Sequence, residues 1–207
     1  MRISKILVAS LFISTSALAA KTECIYQLDP ASVKVNWTAF KTTEKVAVQG
    51  TVVDVKVESP QKSKSLKALL QKTIGSGSFD SVKKSDSGNP ARDQTVYDKF
   101  FSLLANHAQF KGTFSSVKGD DAAGTVTLML SVNQKKEGVP MTYKLADDGA
   151  FEATGSFDML SLGMQKAHES IHTACEVLHK GKDGVSKTWT ELALKISGMI
   201  KKECAQK

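Results

Sequence analysis

The sequence predicts an all-β chain curled into an antiparallel barrel of about eight strands, with two or three short helices capping its ends. Three observations carry that expectation. Apolar residues recur at every second position in seven or eight separate segments, the period of a strand with one buried face. Short turns rich in Gly and Asp separate neighbouring segments, as hairpins require. The remaining periodic stretches have helical spacing and are too short to build a layer of their own.

In chain order, Val33, Val35, Trp37 and Ala39 alternate with Lys34, Asn36 and Thr38, and Val53, Val55 and Val57 alternate with Asp54, Lys56 and Glu58. Between residues 63 and 72, Leu66, Leu69 and Leu70 share one face of a short helix; Val96, Phe100, Leu103 and Leu104 repeat that spacing further on. The polar, glycine-rich stretch 75–89 reads as a loop around one short strand at Phe79. Residues 109–158 read as an up-and-down meander. Its strands carry Phe110, Gly112 and Phe114; Val126, Leu128, Leu130 and Val132; Val139, Met141, Tyr143 and Leu145; and Phe151, Ala153, Gly155 and Phe157. Gly119-Asp120-Asp121, Lys136-Glu137-Gly138 and Asp147-Asp148-Gly149 are the hairpin turns expected between them. A third helix over 162–179 carries Met164, Ala167, Ile171, Ala174 and Leu178, and Leu192, Leu194 and Ile196 mark the last strand. Glycine at 112 and 155 leaves a void between aromatics or permits strand curvature, the more frequent reason.

The first nineteen residues have a basic start (Arg2, Lys5), an apolar run from Ile6 to Ile13, and small residues at Ala17 and Ala19. That is the pattern of a cleaved secretory signal, and the apolar run is too short to span a bilayer. The expected organisation is therefore a signal over 1–19 and one barrel domain over 20–207, exported to the periplasm or secreted. Cys24 follows Lys21-Thr22-Glu23, which is not a lipobox. Removing Arg2 and Lys5 lowers the formal charge from +7 to +5, carried by scattered lysines with no aromatic-interleaved basic run. Nucleic-acid binding is excluded on that pattern, and a mild, transient attraction to anionic membrane surfaces is compatible with it.

Three cysteines in an oxidising compartment imply one disulfide and one remaining thiol. In a barrel whose first and last strands pair antiparallel, Cys24 and Cys204 meet. Cys175 precedes a loop and a strand of about 14 residues, which at about 3.3 Å each carries Cys204 roughly 45 Å along. The expected pair is Cys24–Cys204.

Tyr26-Gln27-Leu28-Asp29-Pro30 before the first strand, Phe79-Asp80-Ser81-Val82, Arg92-Asp93, Phe100-Phe101 and Phe110-Lys111-Gly112-Thr113-Phe114 follow one another in a characteristic order and spacing. In that order the chain resembles the YceI-like family of secreted, lipocalin-like barrels. It departs from the family at Trp37-Thr38-Ala39-Phe40-Lys41, where many members carry a histidine nearby, and in a longer third helix. The resemblance implies a barrel that encloses a long apolar lipid, such as a polyisoprenoid, a quinone-like chain or a fatty amide or acid, without cofactor or chemistry. Trp37, Phe79, Phe110, Phe114, Leu128, Leu130, Tyr143, Phe151 and Phe157 are then the inward, ligand-binding candidates. Burial contributes about 0.8 kcal/mol per methylene, so such a pocket needs little beyond length and an apolar lining. The competing reading is that these side chains fill the barrel solidly, making the protein an interaction module. Dimerisation of two barrels would shield a ligand mouth.

Other motifs point elsewhere. His168-Glu169-Ser170-Ile171-His172 spells H-E-x-x-H, which on a helix aligns two histidines for Zn²⁺ with a glutamate to activate water. A third ligand is hard to find: His179 lies seven residues past His172, and Glu191 falls in an expected strand. A zinc-dependent hydrolase is thus the alternative from another class. Arg92 and Asp93 read as an architectural pair, with Asp93 at the positive end of its helix. No nucleophile elbow, phosphate loop or dinucleotide fingerprint occurs.

Overall fold

The computed structural model describes residues 22–206, so the expected signal over 1–19 lies outside the described residues. One antiparallel sheet of ten strands dominates it. In chain order these are β1 (Thr22–Lys41), β2 (Val46–Val52), β3 (Lys56–Glu58), β4 (Ile74–Gly77), β5 (Ser85–Asp86), β6 (Phe110–Gly119), β7 (Ala123–Val132), β8 (Lys135–Leu145), β9 (Ala150–Asp158) and β10 (Thr188–Gln206). Three helices accompany them: α1 (Leu66–Lys72), α2 (Pro90–Lys99) and α3 (Gln165–Ala174). Among the described residues no helix is long and apolar enough to cross a membrane.

The sheet order β3-β4-β6-β7-β8-β9-β10-β1-β2-β5 explains why it curls. Its spine is the ladder between β1 and β10, the two longest strands, in which Cys24 faces Cys204 and the two are joined by a disulfide. Its edges are β3 and the two-residue β5, which pairs with the end of β2, and β2 itself runs into β3 through Val53, Asp54 and Val55. Asp54 has φ of 59°, in the left-handed region, so the chain bends there and crosses from one side of the sheet to the edge strand β3 on the other. Tyr26 and Ser63 then exchange two backbone hydrogen bonds of 2.8 and 2.9 Å, tying β1 to the segment after β3. Among the described residues no ladder joins β3 to β5, so the sheet is a curled half-barrel whose two sides are tied by that bend and that short bridge. Of the Val53–Glu58 alternation, expected as one strand, only Lys56–Glu58 is strand, and Val53, Asp54 and Val55 form the bend before it.

Two turns fall where the sequence placed them, at residues 120–122 and 146–149. The third does not. Lys136, Glu137 and Gly138 lie within β8, and the β7–β8 hairpin turns at Asn133 and Gln134, with φ of 51° and 59°. Two positive-φ residues make the primed turn that suits strand twist. Asn133 is held there by function as an anchor: its Oδ1 accepts from Ala105 N at 2.9 Å, and its Nδ2 donates to the carbonyls of Leu162 and Gly163 at 3.0 Å. The short strand expected at Phe79 is β4, two residues earlier, and Phe79 itself donates its N–H to His107 O.

The first two helices are set by their caps. Ser65 Oγ accepts from Ala68 N to start α1, which buries Leu66, Leu69 and Leu70. Asn89 Oδ1 accepts from Arg92 N, and Pro90 occupies the first turn of α2. Asp93 secures the preceding loop by accepting from Ser87 N at 2.9 Å; the expected Arg92–Asp93 ion pair does not form. Leu103, placed on the buried face, is 50% exposed beyond the end of α2. The third helix is shorter than 162–179. Residues 159–162 form a separate 3₁₀ turn ended by Gly163 at φ 70°, and Leu178 lies past α3, 71% exposed.

Two apolar clusters result. One packs Tyr26, the three α1 leucines, Val139, Met141, Tyr143, Phe151 and Ile200 at the disulfide-bearing end of the barrel. The other packs Phe100, Leu104, Val132, Met159, Leu162, Met164 and Ala167 under α2 and α3.

Candidate ligand cavity

Between the two clusters the barrel is hollow, with a cavity of about 600 Å³. Its wall follows from strand periodicity. Val33, Val35, Trp37 and Ala39 of β1 and Leu192, Leu194 and Ile196 of β10 point inward at every second position, opposite Phe114, Leu128, Leu130, Phe151 and Phe157. Leu69 and Leu70 of α1 form part of its floor, with Ile200 beside them. A belt of phenylalanines lies under α2: the ring of Phe79 stacks on Phe101 at 4.0 Å and tilts against Phe110 at 5.4 Å, and Phe100 meets Phe101 edge-on at 5.5 Å. Lining residues that are exposed mark the mouth. They are Asn89, Ala91 and Arg92 at the start of α2, and Leu178 after α3.

Of the nine aromatic and aliphatic candidates, all but Tyr143 line this cavity. Tyr143 is buried in the filled end instead, 6.3 Å from the Phe151 ring, with its hydroxyl donating to Asp120 O at 2.7 Å. A phenol taken out of water needs such a partner, and burial together with Asp120 and Asp121 pushes its pKa up. Trp37 is fixed from two sides. Its indole N–H donates to Ser85 Oγ at 2.9 Å, and its ring lies across Gly50, where a Cβ would come within 2.4 Å of it.

The two strand glycines have different reasons. A Cβ at Gly155 would meet the Pro140 carbonyl at 2.3 Å, so close backbone approach requires glycine there. Gly112 forms part of the cavity wall, with only Leu128 Cδ1 in the path of a Cβ, at 3.1 Å.

At the mouth end the wall becomes polar. Lys41 and Thr188 pair across the β1–β10 ladder, and both line the cavity together with Cys175 and His179. The H-E-x-x-H segment is absorbed by the same threonine. His172 Nδ1 and His179 Nδ1 lie 3.0 and 2.6 Å from Thr188 Oγ1, and His168 Nε2 lies 3.0 Å from Thr188 O. A hydroxyl has one proton, so at least one of those two Nδ1 atoms donates to Thr188, and His168 Nε2, facing a carbonyl, donates as well. Burial, with Lys41 and His172 nearby, lowers the His179 pKa to about 4, so its ring is neutral at neutral pH. Burial raises the Cys175 thiol, against the opposing pull of Lys41. Among the described residues no three His, Cys, Asp or Glu side chains converge as metal ligands.

Sequence reasoning missed Phe100 and Phe101 as wall residues, although their FF pair was visible, and missed Lys41, His179 and Thr188. The alternation through Val35, Trp37 and Ala39 does extend to Lys41. Thr188 needed the ladder register, which shifts between Ala39 and Lys41.

A hollow antiparallel barrel with an apolar interior and one polar rim defines a small-ligand-binding barrel, by architecture. The chain belongs to the YceI-like domain family, whose model matches residues 26–187. No curated protein matches it. Among solved structures it is similar to a polyisoprenoid-binding domain from Saccharophagus degradans implicated in plant cell wall breakdown, at 9% identity and TM-score 0.55, over 85% of this chain and 97% of that one. It is also similar to the YceI protein of Campylobacter jejuni, at 14% identity and TM-score 0.51, over 77% of this chain and 86% of that one. At these identities the likeness is one of fold.

Proposed function

We propose that this protein is an exported binding protein that holds one long apolar ligand in the barrel and carries, stores or sequesters it without chemistry. The observation that supports this reading is the cavity of about 600 Å³ walled by Trp37, phenylalanines and aliphatic side chains. That volume lies within the range of drug-sized and cofactor sites, and each methylene moved into it contributes about 0.8 kcal/mol. The similar domain from Saccharophagus degradans is described as polyisoprenoid-binding, which favours the same ligand class here. Export through the 1–19 signal to the periplasm is part of the reading, and the Cys24–Cys204 disulfide supports an oxidising compartment.

Native mass spectrometry of the exported protein, followed by organic extraction and zinc analysis of the same sample, tests it. A mass excess that leaves with the organic phase as one long-chain species is the expected result. A lipid-free protein that takes up no long-chain compound would overturn the reading, and stoichiometric zinc would redirect attention to Glu169.

A further inference from the structure

Among the described residues, two charged side chains line the cavity, Lys41 and Arg92, and both are cationic; no aspartate or glutamate lies on the wall. Neither makes an ion pair within the described structure. Arg92 is exposed at the mouth, where water solvates it. Lys41 is different. It is half-buried on the face that carries Val35, Trp37 and Ala39 inward, opposite Thr188. Its field is felt by His179 and Cys175, whose pKa values it lowers, and burial keeps both groups uncharged. No neighbour on this rim therefore supplies the negative charge that a partly buried ammonium calls for. Thr188 Oγ1 and the His179 ring stand beside it as hydrogen-bonding groups. The interior thus offers an apolar channel ending in an uncompensated cation, the complement of an amphiphile with an acidic head.

We infer, building on the cavity reading above, that the ligand is a long-chain amphiphile with an anionic head, a carboxylate or a phosphate monoester. The head pairs with Lys41 beside Thr188 and His179, and the chain lies along the apolar wall toward Ile200. Arg92 at the mouth adds to the positive potential that draws such a ligand in. This excludes a neutral amide or alcohol as the preferred cargo.

The test uses delipidated, disulfide-intact protein at neutral pH and low salt, with four ligands of equal chain length: palmitic acid, hexadecyl phosphate, palmitamide and hexadecanol. Calorimetry or displacement of a fluorescent fatty probe reads the affinities. The expected result is at least about tenfold tighter binding of one or both acids than of the two neutral compounds. Whichever acid is favoured identifies the head as carboxylate or phosphate. Lys41→Met should erase that preference with hexadecanol still bound, and Lys41→Arg should keep it. Equal affinity for all four, or a preference that survives Lys41→Met, overturns the head assignment while leaving the cavity reading intact. Failure to bind any of the four overturns both.

Discussion

The two ends of this barrel are built from the same alternating strands, yet one is sealed and the other opens to the exterior at exposed residues of the cavity lining. At the disulfide end, α1 drives Leu66, Leu69 and Leu70 between the strands, and two tyrosines complete the packing with hydroxyls bonded to Asp121 and to the Asp120 carbonyl. At the mouth end, α2 and α3 lie across the opening, and phenylalanine rings face an empty interior. The difference teaches that strand periodicity decides which side chains face inward. Whether they meet depends on what the connecting segments insert. Three leucines on a seven-residue helix are enough to turn a channel into a core.

Substitution of equivalent leucines at the two ends should show the largest effect. Leu66, buried on α1 and away from the cavity wall, should lose about 3–5 kcal/mol of stability on Leu66→Ala, because its neighbours cannot collapse into the gap. Leu130 already borders empty space and has fewer contacts to lose, so Leu130→Ala should lose no more than about 2 kcal/mol. Urea unfolding of the delipidated variants measures both, and equal losses would mean that the mouth end is packed as tightly as the other.

A smaller effect sharpens the contrast through acid. His179 at the mouth has its pKa lowered from 6.5 to about 4, so the unfolded chain binds a proton in that interval that the folded chain refuses. Its contribution is complete above pH 6.5 and declines as the pH falls toward 4. For a half-exposed ring, solvent screening limits the change to about 1 kcal/mol. Unfolding midpoints measured between pH 4 and 7 should fall less steeply in His179→Asn than in the wild type; parallel curves would count against a buried neutral imidazole. Smallest of all should be Glu169→Gln. Glu169 is exposed on α3, and the change should leave stability within about 0.5 kcal/mol and ligand uptake unaltered. A loss of any hydrolytic activity in that variant would instead revive the zinc alternative.

Much of the wall could be read from the chain, because period two is a local property and Trp37, Phe110, Leu128 and Phe157 each declare their face through near neighbours. Features that depend on distant partners were hidden. Tyr143 has the right parity to line the cavity, and its exclusion follows from Asp120, 23 residues away, which gives its hydroxyl a bond at the filled end. The turn at Asn133-Gln134 carries no glycine, since Asn133 anchors residues 28 to 30 positions away; the nearby glycine, Gly138, lies within β8. The bend at Asp54 left the valine alternation around it undisturbed, so periodicity could not reveal it. The polar rim was hidden for the same reason, being assembled from residues 41, 179 and 188 by a ladder whose register shifts.

The clasp between Cys24 and Cys204 sits at the opposite end of the β1–β10 ladder from Lys41 and Thr188. Anything fused beyond Cys204, or a solid support grafted there, would therefore hold the molecule by its sealed base with the entrance directed away. Immobilised in that orientation, the barrel would present its mouth to the solution while its attachment stays clear of it.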